Sequence, residues 1–140
     1  MKLLGILLFL LVGCGESPFL NDEGELRSVQ AVESELYLKD SEVSINTFWQ
    51  EGPYVFDESK ILIILQGSNG TTYREEISFK VKLWMPGMGH GSFPVTLEKI
   101  ADGVFLASEV FFTMPGYWDI HFQVFDGEAL KEEVKWGLEL

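Results

Sequence analysis

The sequence predicts an all-β fold: an immunoglobulin-like antiparallel β-sandwich of seven to eight strands. Three observations carry that prediction. Apolar and polar residues alternate with period two along three separate stretches, the pattern of half-buried strands. Turn-forming clusters fall between them: Gly67-Ser68-Asn69-Gly70, Ala101-Asp102-Gly103, Pro115-Gly116 and Asp126-Gly127. The chain is 14% aromatic with 11 Phe, a composition that suits pleated sheets. No window carries a sustained helical period with caps, and only 128–135 can be argued as helix.

The first element precedes the fold. Met1-Lys2 gives a short positive start, and Leu3 to Val12 is an apolar run broken only by Gly5. It is too short to cross a bilayer, which takes ~20 residues, and has the length of a signal-peptide core. It ends at Leu11-Val12-Gly13-Cys14, which resembles the lipobox of bacterial lipoproteins. That resemblance implies a diacylglyceryl thioether on Cys14, cleavage before it, and acylation of the new amino terminus by a fatty acid such as palmitate. Several acyl chains hold a protein stably at a membrane, whereas one alone holds marginally. The expected location is the cell envelope, facing the periplasm or the exterior. The chain therefore divides into a signal peptide (1–13), a lipidated Cys14 with its flexible Gly-, Pro- and acid-rich tether (14–30), and one domain (31–140).

Within the domain, strands are predicted over 35–39, 42–49, 60–66, 77–84, 95–100, 103–112, 117–125 and 129–136. Along 77–84, Phe79, Val81 and Leu83 alternate with Ser78, Lys80 and Lys82. Along 103–112, Val104, Leu106, Val110 and Phe112 are expected on one face. Along 117–125, Trp118, Ile120, Phe122 and Val124 share a face, with Asp119, His121 and Gln123 opposite. The expected core comprises Phe79, Val81, Leu83, Val104, Leu106, Trp118, Ile120, Phe122 and Val124. Asn69-Gly70-Thr71 is expected to be a hairpin turn.

Charge narrows the function. Ten basic against 22 acidic residues give a formal net charge of −12. That argues against nucleic acid, where Lys and Arg must displace counterions from phosphate. It also argues against an anionic membrane surface. One cysteine permits no intrachain disulfide and no Cys-based zinc cluster. No nucleophile–base arrangement, phosphate loop or zincin helix is present, so no enzyme is expected.

Three methionines remain beyond Met1: Met85, Met88 and Met114. Methionine usually fills cores. Here all three fall in Gly/Pro loops, Met85-Pro86-Gly87-Met88-Gly89-His90-Gly91 and Thr113-Met114-Pro115-Gly116. An even number of strand crossings separates the loops, so both belong at one end of the sandwich. Thioether sulfur and imidazole nitrogen suit Cu(I) and are poor ligands for magnesium or calcium. The packing alternative is three methionines capping one end of a core beside an exposed histidine. His121 is expected to be a solvated surface residue. Trp84 and Trp118 are expected to be core or rim aromatics, with a cation–π contact to bound Cu(I) as the lesser alternative.

Residues 84–124 resemble the YtkA-like family of secreted bacterial domains, related to FixH-type proteins. The elements that match are Met85-Pro86-Gly87-Met88-Gly89-His90, then Gly103-Val104-Phe105, then Phe112-Thr113-Met114-Pro115-Gly116-Tyr117-Trp118. The resemblance implies an immunoglobulin-like sandwich with a copper role in respiratory oxidase maturation or copper handling. Carried over by position, the metal ligands are Met85, Met88, His90 and Met114. The expected function is a lipid-anchored, monomeric copper-binding protein that delivers or buffers Cu(I). Its expected partners are the membrane, through Cys14, and a copper-dependent oxidase subunit or other copper carrier. The alternative is a metal-free β-sandwich module for protein–protein interaction at the cell envelope.

Overall fold

The computed structural model describes residues 35–73 and 77–140. The expected signal peptide (1–13), and the Cys14 and tether (14–30) expected to follow it, lie outside the described residues. Among the described residues nine strands form: β1 (Glu35–Leu38), β2 (Val43–Glu51), β3 (Glu58–Gly67), β4 (Ser78–Met85), β5 (His90–Gly91), β6 (Thr96–Ala101), β7 (Val104–Phe111), β8 (Tyr117–Asp126) and β9 (Ala129–Glu139). The 128–135 segment is strand, so the helical alternative falls away.

Two antiparallel sheets result, in the orders β1-β2-β3-β7-β6 and β5-β4-β8-β9. Strands β2, β3, β7 and β6 take the A, B, E and D places of an immunoglobulin sandwich. Strands β4, β8 and β9 take C, F and G, with β5 beside C. The inner faces meet in one core. Ile45, Ile61, Ile63, Leu65 and Ala107 come from the first sheet; Val81, Leu83, Ile120 and Phe122 come from the second. Trp118, Phe112 and Phe122 are the largest side chains fully removed from water. Phe112 meets Trp118 edge-on, with centroids 5.6 Å apart.

The expected alternation holds along β4 and β8, where Phe79, Val81, Leu83, Trp118, Ile120, Phe122 and Val124 are all buried. It fails along β7. Val104 and Leu106 are only half-buried, on the outer face, while Ala107, Val110 and Phe112 are buried. The cause is a bulge. Opposite the single residue Lys60, β7 carries both Ser108 and Glu109, and Glu109 has φ 57°. The extra residue reverses the facing of everything after it. Phe105 and Ala107 therefore face the core before the bulge, and Val110 and Phe112 after it. Phe105 packs against Phe79, centroids 5.8 Å apart.

The turns at the end opposite the methionines are polar and tied down. In the Asn69–Thr71 turn, Asn69 Oδ1 accepts from both the Thr71 amide and the Thr71 hydroxyl, at 3.1 and 2.6 Å. At the same end Glu132 of β9 bridges the two sheets. It accepts from the Asp40 amide (2.9 Å), the Ser41 amide (3.1 Å) and the Ser41 hydroxyl (3.0 Å). Burial pushes its carboxyl pKa up, but these donors outweigh that and hold it below the ordinary carboxylate range.

Candidate functional site

The loops holding the methionines share one end of the sandwich. β4 finishes and β8 begins there, because Trp84 pairs with Asp119 in the antiparallel ladder. The β2–β3 connection reaches the same end, where Val55 bridges to Phe112 and the Phe56 amide donates to the Phe112 carbonyl at 2.9 Å.

β4 delivers Met85 by simple alternation. It is the last inward residue after Phe79, Val81 and Leu83, and it is 7% exposed. The chain then turns at once. The amides of Met88 and Gly89 both donate to the Met85 carbonyl, at 3.2 and 2.9 Å. Gly89 takes φ 68°, a left-handed conformation that costs an L side chain about 1–2 kcal/mol. The turn brings His90 opposite Met85 as its cross-strand partner. Directly opposed residues emerge on the same face, so the imidazole and the thioether are neighbours. Met88 sits at the tip of the turn, 61% exposed.

The second loop closes over this pair. The Trp118 indole Nε1–H donates to the Met114 carbonyl at 3.0 Å. The same ring meets the His90 imidazole edge-on, with centroids 6.4 Å apart. Gly116 exchanges two backbone hydrogen bonds with Leu140, at 2.8 and 3.1 Å. A Cβ at Gly116 would lie 2.7 Å from Met85 Cε, so the thioether methyl packs where a side chain would otherwise be. Met114 itself is half-buried and packs against the core. Trp118 and Gly116 thus join the two loops, Trp118 through Met114 and His90, Gly116 through Met85. Sequence patterning marks Trp118 as core and Pro115-Gly116 as a turn. It does not show that Gly116 packs on Met85 or that Trp118 meets His90.

His90 Nδ1 lies 3.1 Å from the Gly91 carbonyl oxygen. A ring N–H donated there leaves Nε2 as the free acceptor, the arrangement typical of metal-binding imidazoles. Among the described residues, no group of three or more His, Cys, Asp or Glu side chains is placed to hold a metal. Any metal at this end would rest on thioethers with His90.

His121 stands elsewhere. It is on the outer face of β8, opposite to Trp118, so it cannot join His90. It is not the solvated residue expected. Its side chain is 14% exposed, and its Nδ1 lies 3.1 Å from Glu133 Oε1. Its Nε2 is buried with no hydrogen-bond partner among the described residues. Beside it Asp119, 6% exposed, is paired with Lys135 at 3.0 Å. Burial pushes the Glu133 carboxyl pKa up, but hydrogen bonds from Gln123 and His121 bring it below its usual range. Glu133 of the neighbouring strand β9 stands against the ring, and alternation within β8 gives no sign of that contact. Trp84 is a half-buried rim aromatic with Lys82 Nζ 4.8 Å from its ring centroid.

The YtkA-like family model matches residues 58–123, from β3 to near the end of β8. Met85, Met88, His90 and Met114 all fall within the match. No curated protein matches the chain.

Proposed function

This chain carries a YtkA-like domain, and on that premise we propose that it is a lipid-anchored extracytoplasmic protein that binds Cu(I) for delivery or buffering. The ligands are Met85, Met88, His90 and Met114. The observation that carries the reading is the pairing of Met85 with His90, closed over by the loop of Met114 through Trp118 and Gly116. The donors are neutral and soft, which favours the lower-charged copper ion. No thiolate is among them, so oxidants outside the cytoplasm have no Cys at the site to attack. Met85 and His90 form the inner part of the site. Met88, exposed on a turn flanked by glycines, is the ligand that meets incoming or departing copper. Cys14 carries the lipid anchor, and the protein performs no catalysis.

The test is anaerobic titration of the purified domain with Cu(I) against a competing chelator. Met88→Ala and Met114→Ala are each expected to weaken binding by at least about tenfold, the loss that even outer-shell partners of a metal produce. His121→Ala is expected to change it little. Equally poor competition by wild type and by the Met88/Met114 double variant would sink the copper reading. Lipidation is tested separately: mass spectrometry of the native protein should find Cys14 acylated, and Cys14→Ser should release the protein from membranes.

A second reading is favoured by one observation. Met85 and Met114 both belong to the packed core, so they have a structural role without a metal. The domain would then be a lipid-anchored interaction module, and the same titration separates the two.

A further inference from the structure

Eight large apolar side chains stand exposed among the described residues, and five of them surround the Phe111–Tyr117 connection: Tyr54, Phe56, Met88, Phe93 and Tyr117. Such a concentration marks a contact surface. Beside it lies a pocket of about 510 Å³ lined by Phe93, Pro94, Thr96, Glu109 and Phe111. Phe93 and Phe111 meet edge-on at 82° with centroids 6.1 Å apart, and Phe93 is 63% exposed, so aromatic surface lines the pocket. The polar wall is anionic. The β7 bulge turns Glu109 outward, the Thr96 hydroxyl donates to its Oε2, and its own amide is held by Glu58 Oε1 at 2.9 Å. Glu109 is exposed, and a second carboxylate, that of Glu58, stands behind it. The cation on the next outward position of β3, Lys60, is tied to Glu51 at 2.8 Å.

Aromatic faces beside a carboxylate are the chemistry that holds an organic cation. We propose that this pocket receives an arginine or lysine side chain of a partner protein that docks on the methionine–histidine end of the sandwich. A choline headgroup offers the same cation, but its phosphate would face Glu58 and Glu109 on a chain of net charge −12. A protein side chain carries no such anion. The ligand class rests on the pocket alone; only its use, bringing a copper donor or acceptor to Met88, rests on the function proposed above.

The experiment uses the metal-free full domain and NMR titration with the capped tripeptide Gly-Arg-Gly. The controls are the same peptide with citrulline, which is neutral and nearly isosteric, and phosphatidylcholine vesicles. The Arg peptide is expected to shift the Phe93, Glu109 and Phe111 resonances in a saturable way. Citrulline should bind at least about fivefold more weakly, and so should the Arg peptide on Glu109→Gln or Phe93→Ala. Phe93 is 63% exposed, so its truncation leaves the fold intact, and the spectrum of each variant verifies that directly. Equal binding of citrulline, unchanged binding by Glu109→Gln, shifts centred elsewhere, no saturable shift, or vesicle binding in preference to peptide would each overturn the proposal. Cu(I) affinity of Glu109→Gln and Phe93→Ala should match wild type, so failure here and failure of the copper reading are told apart.

Discussion

The two ends of the sandwich are built from the same kinds of turn and finished in opposite ways. At the end of the 39–42, 68–71, 102–103 and 127–128 turns, polar side chains satisfy backbone groups locally. Asn69 holds its own loop, and Glu132 straps the second sheet to the first. At the other end the long connections expose Tyr54, Phe56, Met88, Phe93 and Tyr117 and enclose Met85, His90 and Met114. Exposed apolar surface opposes solubility and adds nothing to folding. Five of the eight exposed large apolar side chains among the described residues lie at this end, while Tyr37, Ile100 and Leu130 lie toward the other, so the two ends differ in degree in exposed apolar surface and in kind in how their turns are held.

The contrast is broken most severely through the residue both loops depend on. Trp118→Ala removes a fully buried indole and the hydrogen bond to Met114. Denaturant unfolding should show a loss of about 3–5 kcal/mol. Met85→Ala should cost about 2–5 kcal/mol by the same mechanism. Met88→Ala, at an exposed tip, should stay within about 0.5 kcal/mol. If copper binding falls in Met88→Ala while stability does not, ligand and packing roles are separated at neighbouring positions.

Glycines sharpen the comparison at the next level. Gly103 and Gly89 have nearly the same backbone, φ 64° and 68°. A Cβ at Gly103 would meet the Tyr73 carbonyl at 2.6 Å and the Leu65 carbonyl at 2.9 Å, whereas one at Gly89 meets nothing within 4 Å. Gly89→Ala should cost about 1–2 kcal/mol, the left-handed penalty alone. Gly103→Ala should cost distinctly more in the same unfolding assay, because backbone must move as well.

The smallest effect concerns the strap. Glu132 is held ionised below its usual range. A carboxylate with a depressed folded pKa stabilises fully above its unfolded value, about 4.3, and loses that contribution as pH falls through the folded value. Glu132→Gln should lower stability near neutrality by about 1–2 kcal/mol. The gap to wild type should narrow in urea titrations below about pH 4. A gap that is constant with pH would mean the strap works by shape and not by charge.

Most of the fold was legible because a two-residue period survives wherever one sheet face is buried. β4 shows it from Phe79 to Met85, and β8 from Trp118 to Val124 with the buried, Lys135-paired Asp119 as the one exception. β9 continues the pattern through Val134, Trp136, Leu138 and Leu140, beyond the expected stop at Gly137. That glycine is needed where the Tyr117 hydroxyl crosses the strand. β5 has only two residues and no pattern to display. The bulge in β7 was illegible because Glu109 is not a glycine or any other turn signal, and a stretch that reads with one period has two. Of the candidate site, strand-crossing parity placed both loops at one end. It could not reveal that Met85 is a core residue and Met88 an exposed one, because both lie in the same Met85–Gly91 loop of the sequence and burial depends on where the strand ends.

Glu109 also behaves as a frameshift inside a finished protein. The residues before it are read by the core on odd numbers and those after it on even ones, so one insertion sets the sense of everything downstream. Deleting that single residue would leave Ser108 alone opposite Lys60, a regular ladder with Phe105, Ala107, Val110 and Phe112 all facing the core. Deletion of Glu109 should therefore keep both pairs in the core and take away only the outward carboxylate, whereas the same deletion one strand later in the chain, within the regular part of β8, would turn its inward residues to solvent.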